Sequence, residues 1–322
     1  MRLDELSLGW QTDLILHRLD ARLGEHADCL AVCTDSNPSY YWGNCLVLPA
    51  APADDDLAHW LARFHALVAA GRPGVQHVAI GIDAPRQSRV LPRWMAAGFY
   101  AEETTVLALQ PGALRAPPRP ARADWQLKLI DLSTESDALL NLQCLDSAPF
   151  EASGYREFRR RQLQRHAQLA QLGLGAWFGL WCNGTLAAQC GLMRQADRPG
   201  TLGRFQQVST HPAWRRRGLC TALVHAVSEW GFSQWQLAQA VLCADPYAAA
   251  IGIYRSLGYQ PVSELWQLQR NAPPDTATPA RTSTHITTHT AHHTTTHAPT
   301  HPPGHPESTF EPCQQTPSPV VD

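Results

Sequence analysis

Three consecutive arginines stand directly before a glycine and the predicted start of an apolar helix. The stretch reads Val208-Ser209-Thr210-His211-Pro212-Ala213-Trp214-Arg215-Arg216-Arg217-Gly218-Leu219-Cys220-Thr221. The free N–H groups and positive dipole end of a helix N-terminus favour an anion, and arginines add charge-assisted donors. Gly218 lets the backbone approach a ligand closely. The stretch fits a diphosphate-binding loop, although a solvated arginine run at a helix start would give the same pattern.

A second segment carries one tyrosine near the end of an Ala-rich helix. It reads Ala244-Asp245-Pro246-Tyr247-Ala248-Ala249-Ala250-Ile251-Gly252-Ile253-Tyr254-Arg255-Ser256-Leu257-Gly258-Tyr259. Gly258 is placed to end this helix, four residues after Tyr254. Taken alone, Tyr254 is typical of a core aromatic.

Together, at this spacing, the two segments resemble the GNAT acetyltransferase superfamily. The first follows the family pattern R/Q-x-x-G-x-G/A from Arg215 to Gly218, with Cys220 in place of the last Gly or Ala. The second follows N-x-x-A-x-x-L-Y-x-x-x-G-F, with Tyr247 in place of the Asn. The resemblance covers about residues 125–270.

The resemblance implies that acetyl-CoA is bound and that its acetyl group is transferred to an amine by direct attack on the thioester. Main chain at Val208 and Thr210 would meet the pantetheine and acetyl groups, and loop amides would hold the diphosphate. Tyr254 would protonate the leaving thiolate. The implied acetyl-CoA contacts are Val208, Thr210, Arg215, Arg216, Arg217, Gly218, Leu219, Cys220, Thr221 and Tyr247. No metal is implied.

The residue that would act as general base is not evident in the sequence. Some family members carry a Glu on the strand before the loop, but Arg204 stands about where that Glu would align. His211 could titrate near neutrality, and a water relay is an alternative. The missing carboxylate leaves open a second class of function, a non-catalytic acyl-CoA-binding or regulatory pseudo-acetyltransferase.

Hydrophobic periodicity places these segments in a mixed sheet. In the second unit, the Asn183-Gly184 turn between two apolar runs predicts a hairpin. Strands are expected at 125–132, 176–181, 185–193, 203–210, 240–244 and 259–268, and helices at 134–145, 154–172, 219–232 and 247–257. The expected fold is α+β: a mostly antiparallel sheet flanked by helices.

The first unit resembles a degenerate copy of the same fold, so two GNAT-like domains are expected in tandem. Its segment from Trp94 to Phe99 parallels Tyr254 to Tyr259. Its candidate phosphate loop instead contains Asp54, Asp55 and Asp56, which would repel a diphosphate. Helices are expected at 10–23, 55–70 and 88–97, and strands at 28–34, 42–48, 75–82 and 100–109.

Composition bounds the remaining possibilities. The net charge of −2 gives no reason to expect a nucleic-acid partner. Without a signal-like N-terminus or a membrane-length apolar run, and with nine cysteines never spaced C-x-x-C, a cytoplasmic protein is expected. The expected acceptor is a small-molecule or peptide amine, and the oligomeric state stays open.

The chain divides into a degenerate domain at 1–110, a Pro-rich linker at 111–124, an acetyl-CoA-binding domain at 125–270 and a tail at 271–322. The tail holds 13 Thr, 10 Pro and 7 His. It is too poor in apolar residues to form a core, so we expect it to be disordered. The resemblance implies that a basic helix near 155–166 borders the acceptor groove, but a solvated face is the interpretation we favour for it.

Overall fold

The computed structural model describes residues 1–17, 19–85, 90–119, 122, 124–145, 152–195 and 201–271. The predicted tail from residue 272 onwards lies outside this range. The strands are β1 Ala21–Glu25, β2 Leu30–Thr34, β3 Asn44–Leu48, β4 Val78–Ile82, β5 Tyr100–Leu109, β6 Trp125–Leu129, β7 Gly175–Cys182, β8 Thr185–Arg194, β9 Leu202–Thr210, β10 Gln239–Ala244 and β11 Gln260–Arg270. The helices are α1 Leu8–Asp13, α2 Leu57–Phe64, α3 Pro92–Ala96, α4 Ser136–Gln143, α5 Ala152–Gln171, α6 Leu219–Gln234 and α7 Ala250–Ser256.

All eleven strands form one sheet, in the order β1-β2-β3-β4-β11-β5-β10-β9-β8-β7-β6. Two neighbouring pairs are parallel, β3 with β4 and β9 with β10, and the others are antiparallel. The predicted α+β class, a mostly antiparallel sheet flanked by helices, is confirmed.

The two units exchange their last strands. Strand β11 lies beside β4 of the first unit, and β5 lies beside β10 of the second. Between them, β5 and β11 pair along nearly their whole length. The apolar cores follow the same exchange: Trp266 and Leu268 of β11 pack among first-unit residues, whereas Leu107 and Leu109 of β5 pack among second-unit residues. Each core is therefore completed by a strand from the other half of the chain.

A buried ion pair also joins the units. The Arg204 guanidinium on β9 donates to the Asp13 carboxylate at 3.3 Å and to the Thr12 hydroxyl at 2.9 Å. It also donates to the Gly9 carbonyl at 3.2 Å. Because Arg204 is only 1% exposed, this contact fixes α1 against the sheet beside β9.

Several predicted elements differ from the structure. The helix expected over 10–23 ends at Asp13, continues as a 3₁₀ turn to His17, and gives way to β1. Edge pairing of β1 with β2 replaces helical hydrogen bonds there, an example of tertiary context overriding local preference. Within the predicted linker, residues 111–113 form a 3₁₀ turn, and the Arg115 N–H donates to the Leu257 carbonyl.

The exchanged strands predict that the halves do not fold alone. Residues 1–110 and 111–271, expressed separately, should lack cooperative unfolding, because each would have to leave the apolar face of its last strand unpartnered. Co-expressed, they should assemble into one 1:1 particle that unfolds cooperatively. Size-exclusion chromatography and thermal melts test this, and a cooperative melt of either half alone would contradict it.

Three buried histidines predict loss of stability in mild acid. Burial lowers the pKa of His17 and of His77 to about 4 and that of His166 to about 3. Between pH 6.5 and 4 the unfolded chain therefore binds protons that the folded chain excludes. The free energy of unfolding should fall with pH in this window, by at most about 1.4 kcal/mol per pH unit for each histidine. Urea titrations at several pH values should show that the free energy of unfolding depends less steeply on pH in His166→Gln than in the parental protein. The exposed His65→Gln should keep the parental dependence on pH.

Candidate functional site

The parallel strands β9 and β10 pair only at one end. Their pairing runs from Leu202 to Arg204 on β9 and from Gln239 to Val241 on β10. Beyond that point β9 continues for six residues and β10 for three, with no pairing between them in the described chain. Main-chain groups at the end of β9 therefore face a gap in the sheet on the β10 side.

A bulge shapes the open end of β9. Gln207 has a φ of +50°, and the register between β8 and β9 shifts beside it. The fully buried Gln189 amide holds the bulge, because its Nε2 donates to the Gln207 carbonyl at 2.9 Å and to Ser209 Oγ at 2.8 Å. The sequence analysis missed this support; its signal was a glutamine within the otherwise apolar run of β8.

The arginine loop leads directly from β9 into α6. His211 begins a 3₁₀ turn by accepting the Ala213 N–H at Nδ1, 3.2 Å away. Gly218 ends the loop with a φ of +89°, a left-handed conformation that favours glycine. The backbone N–H groups of residues 216–221 have no acceptor within the described part of the chain. They form a ready group of donors for an anion at the start of a sixteen-residue helix.

The three arginines of the loop differ in their contacts. Arg215 donates from Nε to the Thr210 carbonyl at 3.3 Å, so it braces the end of β9. Arg217 lies over the Trp214 ring at 4.9 Å. Arg216 is exposed, has a φ of +65°, and makes no ion pair or hydrogen bond to other described residues. Its guanidinium is the one most available to a diphosphate.

The other predicted acetyl-CoA contacts divide between core and surface. Val208, Leu219 and Cys220 are buried in the second unit's core, so the Cys220 sulfur packs inward. Burial raises the pKa of Cys220 to about 12, which makes it an inert apolar side chain. Thr221 is half-buried in the first turn of α6, and Tyr247 is 88% exposed.

Tyr254 is fully buried, yet its hydroxyl has no hydrogen-bond partner in the described chain. It belongs to the core cluster that contains Val208, Cys220 and Ala244, at the open ends of β9 and β10 and the start of α6. Burial raises its pKa well above the ordinary value, with a further contribution from the Cys220 and Cys190 thiols. A buried hydroxyl left unpaired costs about 1–3 kcal/mol, so a polar ligand atom in the gap would relieve this cost.

The first unit closes the corresponding gap. Its strands β3 and β4 pair up to their last residues, Leu48 and Ile82, and the Asp83 N–H extends the ladder to the Leu48 carbonyl at 2.8 Å. Asp54 accepts the Arg93 N–H at 2.8 Å, which places a carboxylate where a diphosphate would need donors. Trp94, the counterpart of Tyr254, donates its ring N–H to the Ala53 carbonyl at 3.3 Å.

The position where some family members carry a Glu holds Arg204, a group that cannot act as a base. Arg204 is engaged by Asp13 and Thr12, so it joins the units at the position where a carboxylate was sought. His211 uses Nδ1 as an acceptor, and the neutral ring would then carry its proton on Nε2.

Other types of site have little support in the described residues. They contain no group of three or more His, Cys, Asp or Glu side chains that could hold a metal ion. Within the same range, no helix is both long and apolar enough to cross a membrane. The eight cysteines described are all free.

A gapped parallel strand pair, an arginine loop and a helix N-terminus lie together at the end of β9. Residues 138–259 match the model of the acetyltransferase (GNAT) family. The second unit is thus a GNAT acetyltransferase domain, as its motifs predicted. A search of curated proteins found no match for the chain.

Solved structures extend the likeness over both units. A functionally unknown conserved protein from Staphylococcus epidermidis is 12% identical, with a TM-score of 0.64, over 79% of this chain and 96% of its own. A GCN5-related N-acetyltransferase from Kribbella flavida is 19% identical, with a TM-score of 0.57, over 81% of this chain and 93% of its own. These likenesses concern the fold, and they confirm a GNAT-like architecture beyond the second unit.

The contrast between the units predicts one acetyl-CoA site per chain. Calorimetric titration should give a stoichiometry near one. Arg216→Gly should weaken binding about 10- to 100-fold, because it removes a charged donor while glycine tolerates the positive φ. Gly218→Glu should abolish binding by repulsion, and Gly218→Ala controls for backbone strain alone. A stoichiometry near two, or unchanged affinity in both test variants, would contradict the assignment.

Proposed function

We propose that the protein is an acetyl-CoA-dependent N-acetyltransferase whose single active site lies in the second unit. The observation that carries the proposal is the separation of β9 from β10 beside a loop of unpaired N–H groups. The first unit has the same strand topology without this gap. The difference between the units supports one ligand cleft, and the family of the second unit supports acetyl transfer as its chemistry.

Different elements around the gap would bind different parts of acetyl-CoA. The N–H groups of residues 216–221 and the Arg216 guanidinium would hold the diphosphate of acetyl-CoA, and the free edge of β9 would bind the pantetheine arm. The Gln207 bulge lies directly before Val208. An N–H there would polarise the thioester carbonyl, and a rigid donor is worth most where charge develops.

Tyr254 would act on the sulfur. Its raised pKa keeps the phenol protonated throughout the neutral range, as a donor requires. Full proton transfer to a thiolate, with an ordinary pKa of about 8.5, would be uphill from so weak an acid. Tyr254 would therefore contribute chiefly a hydrogen bond to the departing sulfur. Protonation of the thiolate would be completed by water or by the product amine.

The acceptor would attack as a neutral amine. Because Arg204, which stays protonated at any working pH, stands where some family members carry a Glu, deprotonation would fall to solvent or to a relay along the cleft. We therefore expect the rate to rise with pH until the acceptor amine is unprotonated.

A screen of amine acceptors with detection of released CoA thiol tests the proposal directly. Turnover with any amine, lost in Gly218→Glu, would support it. Tight acetyl-CoA binding without turnover across small amines, amino acids and peptides would instead favour a non-catalytic acyl-CoA-binding module.

Tyr254→Phe separates a chemical role from a packing role. The ring and its burial are retained, and an unpaired hydroxyl is removed, so the melting temperature should stay the same or rise. Loss of a donor typically costs ~10²–10⁴-fold, but a thiolate leaves fairly well unaided. We expect kcat to fall about 10- to 100-fold with little change in the KM for acetyl-CoA. A parental kcat would make Tyr254 a core aromatic only.

A further inference from the structure

A cavity lies between the N-terminal segment of the first unit and the end of β8. The 3₁₀ turn after α1 contributes Leu14 to its wall, and β1 contributes Ala21 and Leu23. Leu3 also lines it, so much of the wall is apolar. The cavity measures about 250 Å³. Because an apolar cavity of about 150 Å³ can hold benzene, this one has room for a substituted ring.

The wall forms where the chain leaves its locally preferred structure. The sequence predicts one helix over 10–23, but the turn Leu14–His17 and strand β1 replace the second half of that helix. Both of these elements line the cavity. Conflicts between local preference and the final fold are expected at functional sites, so this departure is consistent with a binding site.

His17 brings an unpaired polar ring into the wall. It is 2% exposed, and neither Nδ1 nor Nε2 has a hydrogen-bond partner in the described chain. The ring stacks on Tyr40 with the two centroids 5.5 Å apart, which fixes its plane. Burial lowers the pKa of His17 to about 4, so the neutral ring offers one N–H donor and one acceptor nitrogen. Buried polar groups are normally paired, and a ligand could supply the missing partner.

Two uncharged amides complete the polar part of the wall. Gln11 donates from Nε2 to the Leu6 carbonyl at 2.6 Å, whereas its Oε1 accepts no hydrogen bond from the described residues. Gln195 is 7% exposed, and its side-chain amide also makes no hydrogen bond to the described part of the chain. The described lining residues include no charged side chain. A charged ligand would lose its hydration without gaining a counter-charge, so the cavity favours a neutral one.

The cavity is separate from the gap between β9 and β10. Gln195 directly follows β8, and its backbone N–H donates to the carbonyl of Leu202, the first residue of β9. The arginine loop follows the other end of β9, after Thr210. An occupant of the cavity would therefore leave the expected acetyl-CoA site free.

We propose that this cavity binds a small neutral molecule with an apolar ring and a hydroxyl group, a phenol-like compound, with His17 as its main polar contact. The hydroxyl can donate to the acceptor nitrogen of His17 and accept from the Gln195 amide. The ring would lie against Leu14 and Leu23, and it would cover part of Leu23, which is 41% exposed. The inference goes beyond the proposed function and does not depend on it.

Three matched probes test the preference in fluorine NMR titrations of the full chain. Para-fluorophenol has the hydroxyl, para-fluoroanisole replaces it with an ether that cannot donate, and para-fluorobenzoate carries a charge. The phenol should bind about 10-fold more tightly than the anisole, the usual effect of one hydrogen bond, and the benzoate should bind most weakly. Saturating acetyl-CoA should leave these affinities unchanged.

His17→Phe keeps a ring against Tyr40 and removes both unpaired nitrogens. The phenol should then bind no better than the anisole, and the melting temperature should stay the same or rise. His166→Phe is the matched control, since it alters another buried histidine that does not line this cavity, and it should keep the parental affinities. Ala21→Leu should weaken both neutral probes, because the larger side chain would occupy the cavity.

The outcomes separate this inference from the proposed function. Equal affinity for the phenol and the anisole in the parental protein would overturn the cavity proposal. Phenol binding that is unchanged in both His17→Phe and Ala21→Leu would place the probe elsewhere and would also overturn it. Gly218→Glu should retain phenol binding while it loses acetyl-CoA. Phenol binding by a parental protein that does not bind acetyl-CoA would support the cavity and overturn the proposed function alone.

Discussion

The antiparallel pairing of β5 with β11 is the interaction on which the rest of the structure depends. These are the last strands of the two units, and each also pairs with the penultimate strand of the other unit. The sheet therefore cannot be cut between the units without removing a strand from each apolar core. A tandem chain built in this way forms one continuous sheet that both units share.

This continuity sets what surrounds the gap between β9 and β10. Helix α1 of the first unit lies against the face of the sheet opposite α6, and the Arg204–Asp13 pair fixes it beside the point where β9 and β10 separate. Breaking one partner of such a buried pair is costly, about 3–5 kcal/mol, so the position of the first unit is firmly set. Arg204, at the position where some family members carry a Glu, thus serves the assembly of the two units.

Local patterns predicted most of the second unit, because short-range signals govern it. The Asn183-Gly184 hairpin, the Gly218 helix start and the Gly258 helix end each depend on a few neighbouring residues. Strand exchange has no local signal, since β5 and β11 would look the same paired within their own units. The Gln207 bulge and the Arg204 ion pair likewise depend on partners far away in sequence, Gln189 and Asp13.

The two units show how small a change separates a ligand cleft from a closed sheet. In the first unit, the Asp83 N–H continues the ladder past β4, and the Trp94 ring N–H finds a backbone acceptor. In the second, β9 is bent by a bulge, the ladder stops at Arg204, and the Tyr254 hydroxyl stays unpaired. Each unpaired group is unfavourable in the free protein, because a closed gap would pair these groups and stabilise the fold. In the second unit these unpaired groups lie together beside the gap between β9 and β10, where a bound ligand would pair with them. The fully paired first unit and the shared strands stabilise the sheet around the gap.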